Sequence, residues 1–210
     1  MMDSLNNTVR RHLADNIWLY LIALFVFILG ISLGALTVNT IDDVSENDAR
    51  QYIEGFLDLT SQNDLQAAYI LKQSIKYNLY FTMVLFFSSL VYLGVVIIPV
   101  LIAFRGFCIG FSVAFLTGNF GGNGFLLSIG SILPQNIIYI PIIIVMGVSG
   151  LNYSLWAFRN RYLKKYPGNS RLFAPYAFST LTLFILLISG CIVEAYVTSI
   201  IIKAITPYVG

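Results

Sequence analysis

Long apolar runs with almost no charge dominate this sequence. The first covers 22 residues, from Ile17 to Val38, and others cover residues 79–104, 125–150 and 173–202. A helix needs about 20 predominantly apolar residues to cross the hydrocarbon core of a bilayer. Across the whole chain 58% of residues are hydrophobic and 10% are charged, a balance typical of membrane proteins. We therefore predict an all-α integral membrane protein with a single membrane domain, residues 1–210.

The apolar sequence between residues 106 and 141 carries an unusual number of helix-disrupting residues. Glycines recur from Gly106 to Gly124, and Pro134 and Pro141 follow, with the amides Gln135 and Asn136 directly after the first proline. Unsatisfied backbone groups cost several kcal/mol each in hydrocarbon, so such a segment needs neighbouring helices or water as partners. The pattern predicts broken or kinked central helices inside the bundle.

Hydropathy and charge together predict about five crossings. The predicted spans lie near residues 17–38, 79–104, 106–121, 125–150 and 173–202, and Arg105 closes the second of them. The first is interpreted as an uncleaved span, because the apolar core of a signal peptide is usually shorter. Residues 106–117 would form only about 18 Å of helix. This piece is therefore either a half-helix or a span extended by its neighbours, and a re-entrant loop over residues 106–124 ranks second.

Basic residues predict the orientation in the membrane. Five bases and no acid lie in residues 156–172, and the polar N-terminus, residues 1–16, carries two arginines. Positively charged loops stay in the cytoplasm, so both segments are predicted to be cytoplasmic. Seven of the ten acids lie in residues 39–78, which are then extracytoplasmic. Helical spacing of apolar residues predicts short amphipathic helices there, and we expect Phe56 and Leu57 to contact a partner protein or the bilayer surface.

Several residues in the spans are candidates for helix packing or partner binding. Gly30 and Gly34, and likewise Gly106 and Gly110, have the four-residue spacing that lets two helices approach closely. Glu194 is the only acid in a predicted span, and an ionisable residue there indicates a functional site. The sequence leaves open whether Glu194 lies in mid-membrane or near the outer headgroups.

The sequence does not favour an enzyme. The predicted spans contain no pair of aspartates for an intramembrane aspartyl protease, and there is no His-Glu-x-x-His motif for zinc. We expect no cofactor and no bound metal. The bases are confined mostly to the termini and one loop, where they act as a topology signal, so we do not expect a nucleic-acid partner.

A set of short motifs resembles the stage II sporulation protein M family. They are Arg105-Gly106, Gly110-Phe-Ser-Val-Ala-Phe-Leu116, Gly124-Phe-Leu-Leu-Ser128, Leu133-Pro-Gln-Asn136, Ile140-Pro141 and Glu194-Ala-Tyr196. The resemblance runs along the whole chain and includes its length, its one acidic outer loop and its five predicted spans.

The resemblance implies a membrane protein of the mother-cell septal or engulfing membrane, needed when the mother cell engulfs the forespore. Such proteins are thought to act with two cell-wall enzymes, the stage II sporulation proteins D and P. The chain would then be a scaffold that anchors or recruits these peptidoglycan-cutting enzymes.

A small transporter or channel is the alternative function. Broken helices with polar groups at mid-membrane often build substrate sites, and Gln135, Asn136 and Glu194 are such groups. No convincing repeat relates the two halves of the chain, so we favour the scaffold. The oligomeric state, including a homo-oligomer, stays open at this point.

Overall fold

The computed structural model is a bundle of helices. It describes residues 14–40, 48, 50, 51, 55, 66–163, 173–198, 200 and 201. Helix α1 is Ile17–Thr37, followed by a short 3₁₀ turn, Val38–Thr40. Helix α2 is Gln66–Leu90, and helix α5 is Phe173–Ile192 with a π-helical extension, Val193–Thr198. No strand occurs in these described residues, which agrees with the predicted all-α class.

The stretch Gly94–Leu163 is helical except at Gly121, where it divides into α3, residues 94–120, and α4, residues 122–163. Gly121 has φ 58° and ψ −136°, angles that side-chain-bearing residues rarely adopt. Leu116 and Leu127 pack together on either side of it, and Gly124 lies against the Leu116 carbonyl. Helices α3 and α4 therefore form an antiparallel hairpin. The backbone remains helical through Pro134 and Pro141, so the break lies at the glycine rather than at these prolines.

Three helical stretches of the described residues are long and apolar enough to cross a membrane. They are Ile17–Thr40, Gly94–Arg159 and Phe173–Val197. The second is the α3–α4 hairpin. Together they support a membrane-embedded protein. The number of about five crossings stays a prediction, because α2 falls outside this set.

The predicted second span, residues 79–104, is wrong in its bounds. Helix α2 ends at Leu90, the chain turns over residues 91–93, and α3 begins at Gly94. The turn itself is apolar, so hydropathy does not reveal it, and its backbone is satisfied from inside the bundle: Ser154 Oγ donates to the Val91 carbonyl at 2.9 Å. Arg105 consequently lies in the interior of α3 and not at the end of a span.

Residues 106–117 form the second half of α3, which matches the interpretation of a span extended by its neighbours. Residues 66–78, which the sequence assigned to the extracytoplasmic segment, belong to α2, and Ser74 and Asn78 are buried against the other helices. Helix α2 therefore starts earlier than hydropathy indicates, because the polar residues between Lys72 and Asn78 lower the hydropathy of its first half although Ser74 and Asn78 are buried.

Helix α4 is the centre of the bundle, with a hydrophobic core on each of two faces. One core joins α4 to α1 and α3 and includes Phe27, Ile98, Ile102 and Val148. The other joins α4 to α2 and α5 and is built from Leu85, Tyr139, Ile143, Met146, Leu187 and Cys191. A single long helix that carries both cores holds the other four in place.

The two ends of the bundle bring together different parts of the chain. At one end Tyr153 of α4 stacks on Tyr176 of α5 at 4.7 Å between ring centroids, and Tyr176 stacks on Phe86 of α2 at 5.5 Å. This end also holds the α2–α3 turn and the start of α1. The Gly121 turn lies at the opposite end, where the Arg50 guanidinium lies 5.3 Å from the centre of the Phe120 ring.

Helices α1 and α3 cross with their backbones in contact. A Cβ atom added at Gly30 would collide with the Ala103 carbonyl, and one at Gly34 with the Phe107 carbonyl. On α3, a Cβ at Gly106 would meet the Phe27 carbonyl, and one at Gly110 the Ile31 carbonyl. The four glycines that the sequence singled out thus lie in one internal helix contact.

Candidate functional site

A polar cluster lies inside the bundle where α2, α4 and α5 meet. Glu194 is at its centre, and one carboxylate oxygen accepts hydrogen bonds from Ser74 of α2 and from Tyr139 of α4, the latter at 2.7 Å. The Ser74 and Tyr139 hydroxyls are also 3.0 Å apart. Three helices are therefore tied together by three side-chain oxygens. In hydrocarbon such polar groups are costly unless they pair, and here they pair with each other.

A second group continues the cluster towards α3. Arg105 Nη2 donates to Asn78 Oδ1 at 3.4 Å, and Asn78 Nδ2 contacts Cys191 Sγ at 3.6 Å. The guanidinium also lies over the Tyr139 ring at 5.4 Å and the Phe81 ring at 5.9 Å. Cation–π contacts stabilise an arginine that is shielded from water. The Nε atom of Arg105 is buried, and none of the described residues accepts a hydrogen bond from it.

Local sequence explains how these side chains reach each other. Ser74 and Asn78 are four residues apart on α2 and so lie on the same face of the helix. Gly190 of α5 lies directly against the Tyr139 ring, and a Cβ there would collide with it. Glu194 lies in the π-helical extension of α5, a type of segment that often occurs at functional sites.

The cluster borders a cavity of about 180 Å³. Its walls come from α3, α4 and α5 and are formed by Arg105, Cys108, Ile109, Ser112, Ile132, Gln135, Asn136, Tyr139 and Glu194. A guanidinium and a carboxylate thus line the same space, and each is held by neutral side chains. Such a cavity can accept a polar group that both donates and accepts hydrogen bonds.

An apolar groove adjoins this cavity. It has a volume of about 460 Å³ and shares Ile109, Ile132 and Asn136 with the polar cavity. The remaining lining residues are Val113, Phe125, Ser128, Ile129, Leu133, Ile137 and Ile140. On α4 these positions recur every three or four residues, so the groove runs along the hairpin for about 22 Å.

The structure brings the predicted residues Gln135, Asn136 and Glu194 to one cavity. The Gln135 and Asn136 amides donate to carbonyls of their own helix, those of Ser131 and Ile132. Pro134 lies beside them in α4. Glu194 is part of the internal cluster and contacts Ser74 of α2 and Tyr139 of α4. Its depth in the membrane stays open. Phe56 and Leu57 lie outside the described residues.

Four residues of the cluster were missed by sequence reasoning: Ser74, Asn78, Arg105 and Tyr139. The first two stood in a segment assigned to the aqueous phase, and Arg105 stood at a predicted span end, where a base is ordinary. Tyr139 has no sequence signal that separates it from the other 12 tyrosines. The polar pair Ser74 and Asn78, four residues apart just before an apolar run, was the available signal.

Comparison with known proteins places the chain in one family. The family model for Stage II sporulation protein M matches residues 23–199. No curated protein and no solved structure matches the sequence. The matched range includes the glycine contact, the hairpin and the whole polar cluster. Among the residues that the structure describes, no three His, Cys, Asp or Glu side chains come together as a metal site would require.

Proposed function

This chain belongs to the stage II sporulation protein M family, and from that membership we propose that it is a membrane scaffold for the sporulation septum. A sporulation-related role follows from the family. The scaffold would anchor or recruit peptidoglycan-degrading enzymes during forespore engulfment, with the stage II sporulation proteins D and P as its partners. It would work in the mother-cell membrane, with its N-terminus in the cytoplasm, and would not itself be the hydrolase.

The apolar groove is the observation that favours a scaffold. It runs for about 22 Å along the hairpin, most of the roughly 30 Å thickness of a hydrocarbon core. Its walls are ridges spaced by three and four residues, the spacing against which another helix packs. The glycine faces of α1 and α3 are already used inside the chain. We therefore assign the partner's membrane helix to the groove, in place of the glycine faces.

The acidic segment between α1 and α2 would supply a second contact on the outer side. Phe56 and Leu57 are its proposed contact residues, and the cell-wall enzymes act in the same compartment. Arg50, from the same segment, lies over Phe120 at the end of the hairpin. This contact brings part of the segment next to the hairpin that forms the groove.

The test is co-purification of the two wall enzymes with the tagged protein from sporulating cells. Leu133→Trp fills the groove, whereas Leu186→Trp makes the same change at a residue of α5 outside it; both leucines are 50% exposed. We expect Leu133→Trp to reduce recovery of the enzymes about tenfold, a loss of about 1.4 kcal/mol, and Leu186→Trp to leave it unchanged. Phe56→Ser with Leu57→Ser tests the outer contact separately. Full recovery with all these variants would contradict the proposal.

The polar cavity favours one second candidate, a small transporter or channel. It joins Gln135, Asn136 and Glu194 with Arg105 inside the bundle. Uptake of ions or solutes by vesicles containing the purified protein, abolished by Glu194→Gln, would support that function. Absence of uptake across a broad panel of solutes would reject it.

A further inference from the structure

The polar cavity opens on the outside of the bundle. Cys108 lines it and is exposed, while the opposite wall is made by the internal cluster around Glu194. Cys108 lies twelve residues before Phe120, about 18 Å along α3, and Gln135 lies at a comparable distance beyond the turn on α4. The opening is therefore well inside the hairpin, and hydrocarbon surrounds this depth in a hairpin that crosses the bilayer as we propose.

A polar opening at this depth is not stable against lipid tails. Hydrocarbon offers no hydrogen bonds, and a charged or amide group left facing it costs several kcal/mol. Among the residues that the structure describes, Arg105 donates one side-chain hydrogen bond, to Asn78, although a guanidinium has five N–H donors. The Glu194 carboxylate uses one of its two oxygens for Ser74 and Tyr139. The cavity thus retains both donor and acceptor capacity on its walls.

We propose that this cavity receives an amide or hydroxyl side chain from a transmembrane helix of a partner protein. A carboxylate would pair with Arg105 but would be repelled by Glu194. An ammonium group would pair with Glu194 but would be repelled by Arg105. A neutral group that accepts from the guanidinium and donates to the carboxylate satisfies both walls. The proposal rests on the scaffold function and names the chemistry by which a partner helix is chosen.

Cys108 provides a native attachment point for the test. A maleimide–diazirine crosslinker is attached to Cys108 in membranes of sporulating cells, activated by light, and the joined peptides are identified by mass spectrometry. The control protein carries Cys108→Ser and Val100→Cys, which moves the crosslinker two turns along α3 to a residue that is 61% exposed and outside the cavity. We expect a crosslink from Cys108 to a partner's transmembrane segment within one helical turn of an Asn, Gln, Ser or Thr.

A cavity-filling variant separates binding from folding. Ser112→Leu narrows the cavity and leaves Arg105, Tyr139 and Glu194 in place, and Ser189→Leu makes the same change on the exposed face of α5. Ser112→Leu is expected to lower the crosslink yield about tenfold with an unchanged unfolding temperature. Ser189→Leu is expected to leave both values unchanged. Arg105→Gln in a correctly folded variant should also lower the yield.

The other outcomes separate this inference from the proposed scaffold function. A crosslink to a second copy of this chain, to lipid alone, or equally from Val100→Cys and Cys108 would show that no partner helix occupies the cavity. Solute uptake that depends on Glu194 with no crosslink would assign the cavity to transport. If the wall enzymes co-purify but Cys108 captures no partner helix, the scaffold stands and the cavity proposal fails. If Cys108 captures a helix of a different membrane protein and the wall enzymes do not co-purify, the cavity proposal stands and the wall enzymes are not the partners.

Discussion

At the scale of single residues, the polar cluster shows how a glutamate is accommodated inside a membrane bundle. Glu194 is held by two hydroxyl groups from two other helices, and Gly190 leaves the room that the Tyr139 ring needs. These hydroxyl groups donate the hydrogen bonds that water would donate to an exposed carboxylate and that hydrocarbon cannot provide. The cluster therefore orients α5 on the bundle, because rotating the helix would leave a carboxylate without donors.

Tyr139→Phe tests this bonding with the ring retained. The substitution removes the hydroxyl that donates to Glu194 at 2.7 Å, and a hydrogen bond to a charged group contributes about 1.5–3 kcal/mol. We expect the free energy of unfolding in mixed micelles to fall by about 2 kcal/mol. Tyr80→Phe is the matched control, because Tyr80 is 59% exposed. Equal stability of the two variants would contradict the role assigned to the Tyr139 hydroxyl.

The residues of this cluster differ in how far sequence could identify them. Glu194, Gln135 and Asn136 stand out because polar groups in apolar runs are rare. Arg105 is equally polar, but whether it lies inside a span or at a span end depends on the span bounds. The predicted bounds were wrong because the turn at residues 91–93 is apolar. Which hydroxyls reach Glu194 depends on how three helices are rotated against one another, and that rotation is set by packing over the whole bundle.

At the scale of helices, the contact between α1 and α3 was the easier part to predict. Glycines four residues apart mark a face without side chains, and the amino-acid sequence alone contains both faces. The pattern does not indicate which helix packs against each face. The structure pairs the two faces with each other, so bulking Gly110 should affect the fold itself and not selectively the binding of another protein.

Gly110→Ala compared with Gly118→Ala tests the internal contact. A Cβ at Gly110 would collide with the Ile31 backbone, whereas a Cβ at Gly118 meets nothing within 4 Å. Forcing the helices apart should lower the free energy of unfolding by about 1–3 kcal/mol. Gly118→Ala should be neutral or slightly stabilising, because alanine favours a helix by up to about 1 kcal/mol over glycine. Thermal unfolding in detergent measures both, and a loss of stability at Gly118 alone would disprove this packing.

At the scale of the whole molecule, the arrangement depends on α4, which carries a core on each of two faces. The all-α class and the membrane character of the molecule followed from its long apolar runs together with its low share of charged residues. How its helices are connected could not be predicted in this way, because an apolar turn and an apolar helix have the same hydropathy. The reversal at Gly121 was foreshadowed by the glycines of residues 118–124, whereas the α2–α3 turn at residues 91–93 carries neither glycine nor proline.

The turn over residues 91–93 and the Gly121 turn lie at opposite ends of the bundle, which makes the number and direction of crossings measurable. Ser154, shortly before the basic loop, is bonded to Val91, so positive residues should keep that end in the cytoplasm. We expect an impermeant maleimide to label Gly122→Cys in intact protoplasts and Tyr92→Cys only after permeabilisation, both in a Cys108→Ser background. Unmodified Cys191, which is buried, reports background labelling. Labelling of both cysteines from outside would make the α3–α4 hairpin re-entrant. Labelling of Tyr92→Cys alone would invert the orientation and would move the acidic segment, whose Arg50 lies over Phe120, away from the cell wall together with the proposed enzyme contact.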